Sequence, residues 1–531
     1  MLKKSQTLIV LLIFLGSTFC TSEKFVDTTS TPKHYFAVIM ILVILLFIAM
    51  MKKRMCIGMF SIKKMLWGIN IICFIQACYG ISQFIGWLQP MNSNFEVTGS
   101  FGNPAGFAAV LAMGFPTGLY LFIKAKKIER YAVVIGLVVI AMAVFLSGSR
   151  TGVLAILIST LLFLLFQTSI TGKFQKLKHY KLLIALSLTL ISIGSFALYY
   201  QKKDSANGRF LIWKVSSEMI KDKPVLGQGY GAFQAKYMDY QAEYFKNNSD
   251  SKYAQLADNA KHPFNEFIKV AVEFGIVVLI VVLTLFLFVL WKVIKSENEN
   301  RGLVFSGLVS FLVFACFSYP LLYIPVWLIL AFYLLALLPS KEIRIENTTV
   351  SIIARIIVVG ACIFFLSHFT KQIQAEIKWK TIAMRSLRGN TEKMLPEYEK
   401  LYLTSLKRNS FFLYNYGAEL NVANQYDKSI EILTECKNQF NDYDLQMLLA
   451  DNYHKKGETE KAIKIYEHAS NMVPCRFLPL YNLFEIYKET SQKDMAEMFA
   501  IEIINKKVKI PSNSVFYIQN EAKTFLNDSK L

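Results

Sequence analysis

Three ionisable side chains of this sequence are suited by type to phosphate binding and proton transfer. Arg150 closes a hydrophobic segment in the sequence LSGSRTG, Arg209 lies in NGRFLIW, and His262 lies in KHPFNEF. A guanidinium stays charged and grips a phosphate through two parallel hydrogen bonds, and an imidazole is the usual general base near neutral pH. Simpler roles stay open: Arg150 can extend to lipid headgroups, Arg209 can anchor by charge alone, and His262 can be merely solvated.

Arg209 precedes a predicted amphipathic helix that carries Phe210, Trp213 and Met219 on its apolar side. A helix of this kind lies along a membrane surface, with its apolar side buried in the headgroup region. This position would hold the guanidinium of Arg209 near lipid phosphates.

Acidic and basic side chains follow His262 at helical spacing. Glu266, Lys269 and Glu273 recur over two turns, where a long hydrophobic segment begins. Ionisable groups that enter a membrane usually face a polar cavity and mark function. We therefore expect these residues to share a polar site with His262, and the alternative is an ion-paired patch at the interface.

Hydrophobic runs dominate the first two thirds of the chain. The 531 residues are 54% hydrophobic, with a mean hydropathy of +0.38. An average soluble domain is about 45–50% apolar, and a helix needs roughly 17–25 apolar residues to cross a bilayer. The sequence therefore predicts an all-α, polytopic membrane helix bundle of about 11 spans, at 1–20, 34–51, 65–88, 103–123, 131–147, 152–168, 182–200, 264–291, 302–319, 321–338 and 350–369.

Basic residues are distributed unevenly between the predicted loops. With the N-terminus in the cytoplasm, the inner segments carry 21 Lys and Arg, whereas the short outer loops carry Lys24, Lys33 and Arg150. This bias follows the positive-inside rule and explains much of the net charge of +20 without a nucleic-acid partner. The large loop at about 201–263 and the C-terminal region are then predicted to be periplasmic, and membrane lipids are expected partners.

The region 370–531 has a mixed polar and helical character that separates it from the membrane region 1–369. It contains a repeat of about 34 residues that matches the tetratricopeptide pattern of small and aromatic packing positions. The positions of the middle repeat are Ala450, Tyr453, Gly457, Ala462, Tyr466, Ala469 and Pro474. The sequence predicts a C-terminal α-solenoid, and a protein partner is expected on its repeats because such solenoids usually bind polypeptide.

Two other patterns are predicted to be structural. Gly227, Gly229 and Gly231 follow no strand, so we expect a turn rather than a nucleotide-binding loop. Asp442 and Asp444 stand where a repeat helix begins, so we expect them to cap it. The eight cysteines show no metal-type spacing, and the sequence predicts no catalytic metal and no disulfide framework.

Five short motifs, in chain order, resemble those of the O-antigen ligase/polymerase superfamily, which includes the bacterial protein O-oligosaccharyltransferases. They are Phe101-Gly-Asn103-Pro, Ser147-Gly-Ser-Arg150, Arg209-x3-Trp213 followed by Asp222-Lys-Pro224-x2-Gly227-x-Gly229, Asn265 with Gly275, and Tyr319-Pro-Leu321. The resemblance covers residues 85–370. Phe264, Val278 and Ser318 replace a histidine, a glycine and an acidic residue of the family pattern. His262 matches the first histidine of the HPHNE version found in oligosaccharyltransferases.

The resemblance implies transfer of a glycan from undecaprenyl diphosphate to an acceptor hydroxyl at the periplasmic face of a bacterial inner membrane, without a cofactor. Arg150 and Arg209 would bind the diphosphate and stabilise the charge that develops as it departs. His262 would position or deprotonate the acceptor. The further residues expected to contact substrate are Asn103, Trp213, Asn265, Glu266 and Tyr319.

Several alternatives stay open from the sequence. The acceptor is lipid A-core, a protein Ser or Thr, or a growing chain, in which case the protein is a repeat-unit polymerase. A non-enzymatic membrane anchor that presents the tetratricopeptide repeats would tolerate substitution of Arg209 and His262. A glycan transporter would carry polar residues deep in several spans, whereas the predicted spans are apolar apart from the beginning of the eighth.

Overall fold

The computed structural model describes residues 2–50, 61–167, 200, 203–337 and 348–528, and all secondary structure within these ranges is helical. The predicted span at 182–200 lies outside the described residues, apart from Tyr200. The α-helices, in chain order, are α1 Leu2–Phe19, α2 Ser30–Met50, α3 Ile62–Phe84, α4 Pro104–Lys124, α5 Lys127–Leu146, α6 Arg150–Phe166, α7 Lys203–Asp222, α8 Ala232–Lys246, α9 Glu266–Lys295, α10 Arg301–Phe317, α11 Ile324–Leu335, α12 Thr348–Arg385, α13 Thr391–Tyr402, α14 Ser410–Val422, α15 Tyr426–Lys437, α16 Tyr443–Lys455, α17 Thr459–Met472, α18 Leu478–Glu489, α19 Lys493–Asn505 and α20 Asn513–Asp528.

The chain forms two compact units, each built from separate segments. The first unit comprises Met1–Gln201, Phe264–Glu266 and Val281–Ile377, and the second comprises Lys202–Pro263, Phe267–Ile280 and Lys378–Leu531. The sequence-based division at 369/370, with a loop at 201–263, stays a prediction.

Membrane-spanning helices account for most of the first unit. Six helical stretches are long and apolar enough to cross a bilayer: Ser30–Met50, Ile62–Phe84, Pro104–Lys124, Lys127–Leu146, Glu266–Lys295 and Ile352–Tyr402. Four shorter apolar helices, Thr7–Phe19, Arg150–Phe166, Arg301–Phe317 and Ile324–Leu335, coincide with other predicted spans. The all-helical, membrane-spanning class is therefore confirmed, whereas the number of spans stays a prediction.

The burial of helix α4 places it at the centre of the first unit: 83% of its apolar stretch is buried, against 6% for that of α9. Small residues allow this close packing. A Cβ atom added to Gly106 would lie 2.5 Å from the Tyr323 ring, and one added to Gly114 would lie 2.4 Å from the Cys73 Sγ. The exposed apolar side chains of α9 are what a lipid-facing helix requires.

Consecutive helices pack against each other along the C-terminal part of the second unit, with α14 on α15, α16 on α17, and α18 on α19. The predicted packing residues Ala450, Ala462, Tyr466 and Ala469 are buried, and Gly457 has a positive φ of 84° between α16 and α17. The tetratricopeptide assignment itself stays a prediction.

Helices α7 and α8 share one hydrophobic core with the helices that follow residue 378. Val215 and Tyr237 belong to the same buried cluster as Tyr466 and Leu480. Polar contacts join them as well, since the Gln241 side chain donates to the Met472 carbonyl over 2.6 Å. The loop between the predicted seventh and eighth spans is therefore packed into a folded unit.

Candidate functional site

The two ends of the loop are joined by a backbone pairing that we call the clasp, made of residues 224–229 and 272–276. Three N–H groups donate across it: Gln228 to the Val272 carbonyl over 2.7 Å, Gly229 to the Glu273 carbonyl over 3.0 Å, and Ile276 to the Pro224 carbonyl over 2.7 Å. These bonds satisfy backbone groups that the break in α9 at Gly275 leaves without helical partners. The clasp therefore sets where α7 ends relative to the break in α9.

Two glycines make the clasp possible. Gly275 has φ 83° and ψ 173°, which interrupts α9, and a Cβ atom there would lie 2.0 Å from the Val225 carbonyl oxygen. Gly227 has φ 71°, and its Cβ would lie 2.6 Å from the backbone of Glu273. Only glycine fits both the left-handed φ and the close backbone approach. The expected turn at 227–231 is thus present, and it faces the break in α9.

Arg209 lies in the second turn of α7, because this helix begins at Lys203 rather than after Arg209 as predicted. Residues four apart share a helix face, so Arg209 and Trp213 lie on the same side of α7. The Trp213 Nε1–H donates to the Pro263 carbonyl over 2.8 Å, and its ring meets Phe210 edge-on at 5.7 Å between centroids. The residue next to His262 is therefore fastened to the helix face that carries Arg209.

His262 is half-buried in the second unit. The pKa of its imidazole is lowered to about 4, first by burial and then by the positive charges of Lys269 and Lys261. Protonating a buried imidazole between two cations is unfavourable. At neutral pH the ring is therefore uncharged and can accept a hydrogen bond or a proton.

Lys261 is a residue that sequence reasoning missed. Its ammonium lies 4.8 Å from the centroid of the Phe411 ring and 5.4 Å from that of Phe440, both in the second unit. These cation–π contacts hold the segment before His262 on the C-terminal helices. The only sequence signal was the basic residue directly before the histidine.

Asn265, Glu266 and Tyr319, three predicted substrate-binding residues, come together in the first unit. The Asn265 Nδ2 donates to the Cys316 carbonyl over 3.0 Å, and the buried Glu266 Oε1 accepts from the Leu321 N–H over 3.0 Å. The Tyr319 ring packs on Phe264 at 5.4 Å between centroids. These contacts fasten the beginning of α9 to the Tyr-Pro-Leu turn.

Asn103 caps α4, since its side-chain oxygen accepts from the Ala105 N–H over 2.7 Å. The turn before it is held by two residues that sequence reasoning missed. The Gln83 Oε1 accepts from the Gly99 N–H over 2.7 Å, and the buried Lys33 donates to the Ser100 carbonyl over 2.6 Å. Both residues are distant in sequence from the turn, so local patterns could not indicate them.

A cavity of about 330 Å³ adjoins this turn within the first unit. It is lined by the beginning of α2, by Phe101, by residues 322–325 and by Glu376. The Phe101 and Tyr323 rings meet edge-on at 5.7 Å between centroids. Aromatic faces beside hydroxyl groups, an amine and a carboxylate form a surface that suits a sugar ring and its hydroxyls.

Arg150 opens a helix rather than closing one, which corrects the sequence-based interpretation. Helix α5 ends at Leu146, and the Ser149 Oγ accepts from the Gly152 N–H over 3.2 Å, which caps the beginning of α6. Gly148, with φ 66°, makes the turn between the helices. A cation in the first turn is disfavoured by the helix dipole, so an anion near Arg150 would stabilise this arrangement.

The expected N-terminal cap is confirmed at Asp442, whose Oδ1 accepts from the Leu445 N–H over 2.9 Å. Asp444 lies in the first turn of α16, and its Oδ2 accepts from the Asn259 side chain over 3.1 Å. Both carboxylates therefore have structural roles in the second unit.

Known proteins are similar to the central part of the chain. Residues 135–283 match the family described as O-antigen ligase. Two proteins named "Putative polysaccharide ligase" are similar: one of Rickettsia conorii is 26% identical over 155 residues, and one of Rickettsia felis is 28% identical over 159 residues. Each alignment covers 28% of this chain and 36% of the relative, so the chain spans about a third of the length of these curated relatives.

The matched region contains the two arginines and the histidine of the candidate site, whereas Asn103 and Tyr319 lie outside it. The arginines are Arg150 and Arg209, the histidine is His262, and both segments of the clasp also lie within 135–283. Over this region the chain is similar to the O-antigen ligase superfamily.

Proposed function

We propose that this protein transfers a glycan from undecaprenyl diphosphate to an acceptor hydroxyl at the periplasmic face of a bacterial inner membrane. The observation that carries the proposal is the neutral, half-buried His262, fastened through Pro263 to the helix of Arg209. Its position within the region that matches O-antigen ligase supports the reaction class, as do the names of the two rickettsial relatives.

In the proposed reaction the acceptor oxygen forms a bond to the anomeric carbon, and the bond from that carbon to the diphosphate breaks. The imidazole of His262 accepts the hydroxyl proton, and undecaprenyl diphosphate leaves as an anion. Arg209 and Arg150 bind the diphosphate and stabilise its developing charge. The approaching anion also raises the pKa of His262 toward the range in which a general base is effective.

The other predicted residues have positioning roles in this proposal. Trp213 holds the segment of His262 through the Pro263 carbonyl. Asn265 and Glu266 fix the beginning of α9, and Asn103 fixes the beginning of α4. Because the contacts described above are internal to the protein, we propose that these residues act on substrate mainly through the residues that they hold, whereas Tyr319 presents an aromatic face.

A sugar of the substrate is proposed to bind in the cavity beside Phe101 in the first unit. A cavity of about 330 Å³ is within the range of small-ligand sites. The Phe101 and Tyr323 rings would stack on the sugar, and Glu376 and the hydroxyls of Thr29 and Thr31 would bind its hydroxyl groups. The acceptor, whether lipid A-core, protein or growing chain, is what the experiment below distinguishes.

We also propose that the C-terminal helices are tetratricopeptide repeats that bind and position the loop at 203–263. Asp239 of α8 accepts from the His468 Nε2 over 2.8 Å and from the Asn441 Nδ2 over 2.9 Å. A repeat surface usually binds polypeptide, and part of this surface binds the chain's own helix α8. A protein partner would then use the remaining surface.

The test is complementation of a deletion strain with the wild type, Arg209→Ala or His262→Ala. Arg408→Ala and His454→Ala are matched controls, because Arg408 is exposed and His454 makes a surface pair with Glu489. We expect both site variants to fail and both controls to complement. Full complementation by Arg209→Ala and His262→Ala would refute the enzymatic proposal and favour a membrane-anchored scaffold.

The phenotype of the deletion strain identifies the acceptor. Loss of long lipopolysaccharide ladders with the core retained indicates ligation to lipid A-core. A core that carries a single repeat unit indicates a polymerase. Intact ladders with unglycosylated periplasmic proteins indicate a protein oligosaccharyltransferase.

A further inference from the structure

An exposed apolar tip lies at the turn of the clasp. The exposed fractions are 59% for Val225, 84% for Leu226 and 88% for Tyr230. Large apolar side chains this exposed and this close together are unusual on a surface that meets only water. Lys221 and Lys223, directly before the tip, are exposed as well.

The clasp holds this tip beside the beginning of a membrane-spanning segment. The Ile276 N–H donates to the Pro224 carbonyl over 2.7 Å, and the Tyr230 and Phe274 rings lie 6.4 Å apart. From residue 276 onward α9 is apolar and mostly exposed, with Val277 at 54%. The tip thus lies beside the residue at which the exposed apolar part of α9 begins.

We propose that residues 225–230 form an interfacial anchor, with Val225, Leu226 and Tyr230 inserted into the boundary between lipid headgroups and acyl chains. Tyrosine is enriched at this depth, and the apolar side chains are removed from water there. Lys221 and Lys223 lie where they meet lipid phosphates.

The lipid bilayer is favoured over a protein as the occupant of this surface for two reasons. The tip continues the lipid-facing surface of α9, since three backbone hydrogen bonds join the two segments. Lys223, next to the tip, also carries a positive charge that is complementary to anionic lipid headgroups, whereas Lys221 pairs with Glu218 over 2.9 Å and Asp222 accepts a hydrogen bond from Tyr240. A rigid clasp with two constrained glycines holds the tip at a fixed depth, as an anchor requires.

The anchor also restrains the loop, because the tip follows α7 directly. Fixing the tip in the interface fixes the end of the helix that carries Arg209 and Trp213. The proposal concerns membrane insertion and does not depend on the reaction proposed above.

The test is the depth of a spin label on Leu226→Cys in the full chain, reconstituted in nanodiscs of phosphatidylethanolamine and phosphatidylglycerol. Lys464→Cys, an exposed polar position on α17, is the control, and the chain without an added cysteine gives the background from native thiols. We expect the label at 226 to collide with oxygen and to be shielded from a water-soluble nickel chelate. The label at 464 should show the opposite pattern.

Two results would overturn the proposal. A label at 226 that is open to the nickel chelate would mean that the tip lies in water. A label shielded from both reagents would mean that a protein, such as a second copy of this chain, covers the tip. Replacing Lys221 and Lys223 by Gln should reduce the depth in phosphatidylglycerol-rich discs, and an unchanged depth would contradict the role of the lysines.

Discussion

The two units of this protein place their apolar residues in opposite ways. In the first unit, outward-facing side chains such as Leu285 and Ile356 remain exposed, at 59% and 67%. In the second unit, Tyr237 and Tyr466 are almost fully buried in one core. The helices of the first unit therefore direct apolar side chains toward lipid, whereas the second unit depends on contacts between distant segments of the chain.

This difference explains why we expect substitutions of particular residues to disturb the site. The second unit contains Arg209 and His262, and the contacts that hold its loop include the clasp, the Trp213 contact and the contacts of Asp239. Loosening any of them should affect the loop without disturbing the spans.

Gly275→Ala should have the largest effect. The added Cβ meets the Val225 carbonyl oxygen, and the φ of 83° is strained for alanine, so we expect a cost of about 2–4 kcal/mol. The measurement is the rate of limited proteolysis within 203–263, together with activity.

Two alanine variants serve as controls for Gly275→Ala. An added Cβ meets nothing within 4 Å at Gly208 in α7 or at Gly360 in α12. Both changes should be neutral or stabilising by about 0.5–1 kcal/mol. If Gly275→Ala were as well tolerated as these two, the clasp would not be what holds the loop.

Trp213→Phe should lower kcat by about tenfold with little change in KM, because it removes one hydrogen bond to the segment of His262. Trp379→Phe is the matched control, since the Trp379 Nε1 donates to the Asn415 Oδ1 over 2.8 Å elsewhere in the second unit. Steady-state kinetics should show a selective loss for position 213. Equal losses for both variants would indicate a general effect on stability.

Asp239→Ala should destabilise the second unit by about 1 kcal/mol, since it removes two partly exposed hydrogen bonds from His468 and Asn441. Thermal unfolding followed by protease resistance of the loop measures the effect. Asp427→Ala removes an ion pair with Lys456 in which Asp427 is 82% exposed, and it should have almost no effect. A stable loop in Asp239→Ala would contradict the holding role of the repeats.

Lys269→Gln should have the smallest effect, a change in pH dependence. The folded-state pKa of His262 is below its usual 6.5, so the imidazole stays neutral until the pH falls toward about 4. Removing the Lys269 charge should raise this pKa and move the acid limb of kcat/KM to higher pH. The shift is partial because burial, the larger cause, remains, and an unmoved limb would mean that another group controls it.

Sequence patterns predicted what depends on neighbours along the chain. Hydropathy gave the apolar helices, and the polar residue at position 442 indicated the cap that Asp442 makes. Sequence patterns were less accurate at the ends of helices. Arg150 begins a helix instead of ending one, and Arg209 lies inside a helix instead of before it. The turn at Gly227 was expected, but its partner Gly275 was known only as a motif residue.

Contacts across long stretches of sequence could not be predicted in this way. The pair Asp239 and His468 is separated by 229 positions, and neither residue differs locally from an ordinary surface group. Lys33 was counted only as a charge in an outer loop, whereas it is buried and holds the Ser100 carbonyl. Such contacts depend on tertiary packing, which one sequence does not encode as a periodic pattern.

The most direct test is transfer by the purified protein in nanodiscs that contain undecaprenyl diphosphate linked to a labelled glycan. Lipid A-core and a periplasmic protein fraction are supplied as acceptors, and release of undecaprenyl diphosphate and labelled product is followed. We expect transfer by the wild type and by His454→Ala, and a loss of about 10²–10⁴-fold in His262→Ala. Equal rates in His262→Ala and wild type, or a labelled donor that stays intact with every acceptor, would contradict the account.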